Sequence, residues 1–452
     1  MNRGKISKAL GLLVAVSTAL AVAACGGTEE PTEPAGPVTL VVNGQPPATA
    51  QVERANFDAD VKAFEAANPN IKIDAREGFM DPQTFPAKLA GGQLEDVFYV
   101  YFTDPAGLIQ RKQVSDVSAY LGDFPKLNDL RPDLKKVFQD AAGKTYGIPT
   151  ANYSMGLIYS RKLFTDAGLD PNSPPTTWDA VREAAKKISA LGGGVSGFGE
   201  YSKSNTGGWH FTEWMYSVGG DIATKDGDKW KAAFNNEKGV EVLTRLKDMR
   251  WTDKSMGTKQ LLEWADLLTM MGAGKLGMFL GAPDNMPTLV NQFKGKYEDY
   301  GIAPVPGGVA TLGGGEGYMF KAGLSEAKIK AGLTWLSWKY ANPDKIDENN
   351  AKAKAENRPV GLPEPMIWTG ATADKAKASA QANANVPFEN YKLFAEAAGK
   401  VQVKTEPPNA QAIYAVLDGI MAGVLTKETA DIPGLLKSAE DQVNTILASV
   451  TS

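Results

Sequence analysis

Val38-Thr39-Leu40-Val41-Val42 is an unbroken run of β-favouring residues that ends at the turn dipeptide Asn43-Gly44. A run without polar alternation suits a strand buried on both faces, and such strands belong to parallel sheets covered by helices. The residues that follow supply the cover. Ala55 to Ala67 places Phe57, Val61 and Phe64 at helical spacing and stops at Asn68-Pro69. Ile71-Lys72-Ile73 starts a second strand, Phe85 to Leu89 a short helix, and Asp96 to Tyr101 a third strand. Strand, helix, strand, helix, strand with short connections specifies an α/β fold on a parallel sheet.

A second unit of the same kind begins near Tyr146. Tyr146-Gly147-Ile148-Pro149 leads into an apolar stretch from Met155 to Tyr159, and then a helix over Trp178 to Ala190 with Thr177 as its N-cap. Glycine pairs and triplets at 192–194 and 207–208 read as breaks. Helical patterns return at Trp209 to Val218, Gly239 to Arg250 and Leu261 to Gly272, with a strand at Lys275 to Leu280 and an amphipathic helix at Lys328 to Tyr340. Tyr391 to Ala398, Ala410 to Ala422 and Ile432 to Ala448 read as helices too, and no solenoid period is present.

The chain has 452 residues, which at roughly 100–200 residues per domain allows two or three domains with full cores. Its 43% apolar and 22% charged residues fit neither a disordered chain nor a polytopic membrane protein. A net charge of −4 gives no basic excess to neutralise a phosphate backbone, which argues against nucleic acid as a partner. One cysteine and one histidine, His210, rule out an intramolecular disulfide and the multi-His or Cys-rich metal sites. No metal and no cofactor is expected.

The N-terminus carries an address. Arg3, Lys5 and Lys8 precede an apolar stretch from Ala9 to Ala24, the layout of a secretory signal. Val22-Ala23-Ala24-Cys25 puts small residues directly before the sole cysteine, and this resembles the bacterial lipoprotein signal. That resemblance implies a signal peptide over 1–24, a lipid on Cys25 and an extracytoplasmic body anchored to the outer face of the cell membrane. Residues 25–37, with three prolines and no apolar periodicity, read as a tether.

Several segments resemble, in order, the sugar-binding lipoproteins of ABC importers, the extracellular solute-binding family that includes maltose-binding protein. They are Gly91 to Val97 (GGQLEDV), Gly143 to Pro149 (GKTYGIP), Gly156 to Tyr159 (GLIY), Lys162 to Gly168 (KLFTDAG), Pro175 to Asp179 (PTTWD), Gly274 to Leu280 (GKLGMFL) and Tyr300 to Pro306 (YGIAPVP). Tyr159-Ser160-Arg161 departs from the family's usual tyrosine, asparagine and lysine, at a position that reads as structural. The resemblance implies a two-lobed periplasmic-binding-protein-like fold (type II) with ligand in the cleft. Lobe 1 would comprise 38–148 and 281–345, and lobe 2 149–280 and 346–452, with crossings near Ile148, near Leu280 and within 340–360. It further implies a non-enzymatic, monomeric substrate-binding subunit that captures a carbohydrate and presents it to a permease by hinge closure.

Sugar hydroxyls donate and accept while sugar C–H faces are apolar, so a site needs carboxylates, amides and aromatic rings. Ligands of open α/β sheets lie beyond the carboxyl ends of strands. The candidates there are Asn43 and Gln45 after the first strand, Glu77 after the second, and Tyr101 and Asp104 after the third. Asn43 also suits a turn and Asp104 a helix cap. Asn152 and Tyr153 follow the first crossing. Tyr201, Trp209 and His210 lie in a glycine-rich, aromatic-rich span in which core packing is the competing reading; Asp284 and Asn285 follow the strand at the second crossing. In Thr311 to Gly317 (TLGGGEG) the spacing fails the dinucleotide fingerprint, leaving Gly315 and Glu316 as contacts beside close-approaching backbone. Trp368 is placed to stack on a sugar. Rival readings are a polyamine or other cation held by Asp104, Asp284, Glu316 and rings, a secreted glycoside hydrolase with a carboxylate pair, and an adhesin or sensor on the same fold.

Overall fold

The computed structural model describes residues 37–450 apart from 82, 83, 228, 294, 364, 398 and 399. The signal peptide, Cys25 and all of the tether before Pro37 lie outside the described residues. Twelve strands occur among them: β1 (Val38–Gln45), β2 (Ile71–Glu77), β3 (Val97–Tyr101), β4 (Gly147–Ser154), β5 (Gly156–Ser160), β6 (Ser196–Phe198), β7 (Ala223–Asp226), β8 (Lys229–Ala232), β9 (Leu276–Gly281), β10 (Tyr300–Pro304), β11 (Ala310–Phe320) and β12 (Gln402–Lys404). The opening run behaves as its composition dictates: β1 pairs in parallel with β2 and β3, and Leu40 and Val42 are fully buried. Its cover is the helix Gln51–Ala67, whose Phe57 and Phe64 meet Trp335 edge-on, Phe64 at a centroid distance of 5.0 Å.

The first sheet has the order β12-β11-β3-β1-β2, with β4 also paired to β11, and it is mixed because β11 runs antiparallel to β3 and β4. The second sheet has the order β10-β5-β9-β6, and β7 and β8 form a separate hairpin. Only Met155 separates β4 in one sheet from β5 in the other, and its N–H donates to Leu312 O in β11 at 3.2 Å. Two chain segments thus run side by side between the sheets.

The return segment differs from the expectation at Leu280. β9 continues to Gly281, and β10 still pairs with β5, so the chain rejoins the first sheet only at β11. Gly281 is followed by the helix Asn285–Asn291 on the second sheet's side, where Met286 and Leu289 enter the same core as Phe279. The third crossing is also later than 340–360. Thr372, in the helix Gly370–Asn383, donates to Asp129 at 2.6 Å, and Arg131 N–H donates to Ile367 O at 2.8 Å, which holds this segment beside the first sheet's loops.

Thr177 caps the helix Trp178–Ser189 as expected, accepting from Ala180 N–H at 3.2 Å. Gly207 and Gly208 are not a break. They lie in the first turn of the helix Thr206–Ser217, and a Cβ on Gly208 would stand 2.3 Å from Tyr414 O in the helix Ala410–Thr426. The missing side chain lets two helix backbones touch. The glycine run at 313–315 is likewise strand, the middle of β11, because the space its Cβ atoms would fill is occupied by Val403, Tyr153 and Phe102. Helices Ile346–Ala355 and Gly370–Asn383 carry no apolar stripe and have no counterpart in the pattern reading; each buries a single residue.

Candidate functional site

The helix Thr206–Ser217 positions the densest part of the site. Asp418 of the helix Ala410–Thr426 accepts from Asn205 N–H at 2.6 Å and from Gly208 N–H at 2.8 Å, so a carboxylate from a neighbouring helix satisfies the exposed donors of the N-terminus. That fixes the face on which Trp209 projects. Trp209 is half-buried, stands edge-on to Tyr153 at 6.0 Å, and lies nearly parallel to Tyr201 at 6.5 Å. Those rings bound a cavity of about 380 Å³.

Eight of the sequence-predicted residues meet there: Tyr101 at the end of β3, Tyr153 in β4, Tyr201, Trp209, Asp284 and Asn285 after β9, and Gly315 and Glu316 in β11. Asn285 links two of the walls, accepting from Trp264 Nε1 at 2.7 Å and donating to Asp284 Oδ1 at 2.9 Å. Glu316 accepts from the Tyr99 hydroxyl. Burial raises the carboxyls of Asp284 and Glu316 above the ordinary range, and the neighbouring Asp284 adds to the rise at Glu316.

Sequence reasoning missed Glu406, Trp264, Asn205, Gln411 and Tyr414, which also line the cavity. Glu406 accepts from the Tyr414 hydroxyl at 3.1 Å, and burial pushes its carboxyl up to about 7, with Asp104 contributing. Asn205 donates to Gln411 O at 3.1 Å. One signal was available for Glu406: it sits in Thr405-Glu406-Pro407-Pro408, directly after a short strand.

The other candidates lie elsewhere. Asn43 is buried and accepts from Tyr99 N–H at 2.8 Å, which ties β1 to β3. Gln45 donates to Asp58 at 2.7 Å, and Glu77 pairs with Arg54 at 2.9 Å, both on the exterior. Asp104 stands behind the lining; it accepts from Thr103 at 2.9 Å, and burial pushes its carboxyl up to about 6. His210 is fully buried with Nδ1 against Glu200, which also accepts from Trp214 Nε1 at 2.7 Å, so the core reading holds for it. Asn152 and Trp368 line a second cavity of about 510 Å³, and Trp368 forms a β-bridge with Leu130. Tyr153 borders both cavities.

Among the described residues no lysine, arginine or histidine lines the first cavity, and no group of three acidic, histidine or cysteine side chains is placed to hold a metal ion. The arrangement offers acceptors, amides and ring faces.

The family profile for bacterial extracellular solute-binding proteins matches residues 48–341. The chain belongs to that family. A putative binding protein of Brucella abortus is 29% identical over 258 residues, 56% of this chain and 60% of that protein, so the match spans about three fifths of the relative's length. Among solved solute-binding proteins, the one from Thermotoga lettingae bound with α-D-tagatose has a TM-score of 0.69 at 20% identity, covering 90% of this chain and 99% of its own. The ABC substrate-binding protein of Listeria monocytogenes in complex with cycloalternan has a TM-score of 0.70 at 19% identity, covering 91% of this chain and 99% of its own. This solute-binding protein therefore shares their two-domain mixed α/β fold, with the ring-lined cavity beside the paired segments that join its sheets.

Proposed function

We propose that this solute-binding protein is the substrate-binding subunit of an ABC importer, capturing a carbohydrate between two lobes and delivering it to a membrane permease without chemical change. The single observation that carries the reading is the convergence of Trp209, Tyr153 and Tyr201 with Asp284, Asn285, Glu316 and Glu406 around one cavity. Rings cover C–H faces while carboxylates and amides take hydroxyls. The sugars bound by the Thermotoga and Listeria proteins support the same class. On this reading β1–β4 and β11 form one lobe, β5–β10 with the helices Ala410–Thr426 and Ile432–Leu447 the other, and closure bends the segments at Met155 and before β11.

The protein acts as a monomer outside the cytoplasm, held to the membrane by a lipid on Cys25. Among the described residues no helix is long and apolar enough to cross a membrane. Calorimetric titration of the purified protein with mono- and oligosaccharides tests the function: saturable binding of one carbohydrate class is expected, and binding of amino acids or peptides in place of any carbohydrate refutes it. Cys25→Ser should move the protein from the membrane to the soluble fraction; unchanged membrane retention refutes the lipid anchor.

A further inference from the structure

The cavity is one-sided in charge. Asp284 follows β9, Glu316 lies in β11 and Glu406 follows β12, so three separate stretches of chain each send one carboxylate to the same lining. Their hydrogen-bond donors are neutral: the Asn285 amide, the Tyr99 hydroxyl and the Tyr414 hydroxyl. Among the described residues no cation acts on any of the three, and Arg111 acts on Asp104, behind the lining. A fourth feature is independent of the acids. Tyr201 lines the cavity, and its hydroxyl is buried without a hydrogen-bond partner in a residue that is 1% exposed. An orphaned buried hydroxyl at a cavity wall awaits a polar ligand.

Resting on the carbohydrate reading of this cavity, we infer that its ligand is a carbohydrate bearing a protonated amine, with the ammonium placed among Asp284, Glu316 and Glu406 and beside the rings of Trp209 and Tyr153. A neutral sugar can donate hydroxyls to these acids but leaves uncompensated the repulsion that Asp284 exerts on Glu316 and Asp104 on Glu406. An ammonium compensates it, and ring faces attract a cation as well. An anionic sugar phosphate meets repulsion with no cation to offset it. The other titratable groups acting with these acids are phenols that burial keeps neutral: Tyr99, Tyr101, Tyr318 and Tyr340 beside Glu316, Tyr153, Tyr216 and Tyr414 beside Glu406, and Tyr201 beside Asp284. Because burial holds the acids' proton affinities high in the empty cavity, entry of the ammonium displaces protons from them.

The test is calorimetric titration of the purified full chain at pH 6.5 with matched probes: the β-1,4 glucosamine dimer, its N,N′-diacetyl form, cellobiose, putrescine and glycerol 3-phosphate. The glucosamine dimer should bind at least tenfold tighter than the acetylated and neutral dimers. Its affinity should fall with added salt, and the heats in buffers of different ionisation enthalpy should report proton release. Glu406→Gln and, separately, Asp284→Asn should each shrink the ratio of amine to neutral affinity. Equal affinity for amine and neutral dimers overturns the inference and leaves the carbohydrate reading standing. Binding of putrescine with no dimer bound overturns both. Binding of glycerol 3-phosphate, or of none of the probes, overturns the amine assignment.

Discussion

Glu213 offers a measurable consequence of burying an acid at the junction of the two sheets. It lies in the helix Thr206–Ser217, four residues after Trp209, and its side chain is fully buried. The Leu312 N–H donates to it, and the Thr311 hydroxyl lies 3.2 Å from its Oε1 and 3.0 Å from Met155 O, so one carboxyl ties the ring-bearing helix to both segments that link the sheets. Burial pushes that carboxyl up to about 8, against a lowering by the Leu312 and Thr311 bonds. The folded protein therefore keeps a proton that the unfolded chain releases near its ordinary value of 4.5. The stabilisation is full below that value and is lost as pH rises through about 8. Within that window one proton separates the two states, so stability falls by about 1.4 kcal/mol per pH unit. Glu213→Gln keeps an acceptor for Leu312 N–H and cannot titrate. Urea unfolding followed by tryptophan fluorescence at pH 5.5 and 7.5 should show the wild type losing about 2–3 kcal/mol relative to the variant. Asp104 and Glu406, whose carboxyls are also raised, titrate in both proteins and cancel in the difference. A difference in stability that stays constant with pH refutes the reasoning, since it means the Leu312 and Thr311 bonds keep Glu213 ionised.

Other expectations follow from the same packing. Trp209→Ala should weaken ligand binding roughly tenfold or more through lost ring contact, with the unfolding midpoint of the empty protein close to wild type; unchanged affinity in a titration removes Trp209 from the site. Gly208→Ala places a methyl 2.3 Å from Tyr414 O and should cost about 1–3 kcal/mol; a wild-type midpoint in thermal unfolding means the two helices are not in contact there. Thr177→Ala should cost about 1 kcal/mol by leaving the Ala180 N–H uncapped, and an unshifted urea midpoint counts against the cap.

Where single elements carry their own signature, they were legible. β1, β2 and β3 and the helices between them follow from apolar runs and helical spacing, because strands covered on both faces must be apolar throughout. Of the candidates at the carboxyl ends of strands, Tyr101, Asp284 and Asn285 reach the cavity while Asn43, Gln45, Glu77 and Asp104 do not, because a strand end fixes a position and not where its side chain turns. His210 and Trp209 show the limit of adjacency. On a helix, neighbours point about 100° apart, so Trp209 faces the cavity while His210 turns inward to Glu200. Nothing local distinguishes them.

The sequence by itself determined the α/β class, the order of the first three strands with their covering helices, and the aromatic and acidic character of the candidate site, since periodicity and composition act over neighbouring residues. Only the tertiary structure decided that 313–315 form a strand, that the chain rejoins the first sheet at β11, and that Glu406 lines the same cavity as Glu316. The first follows because side chains of Tyr153, Phe102 and Val403 fill the space the glycines leave. The other two are long-range pairings, β10 with β5 and β12 with β11, whose partners lie about 90 residues or more apart in the chain. Pairings of that kind are fixed by how whole sheets pack, which no local pattern encodes.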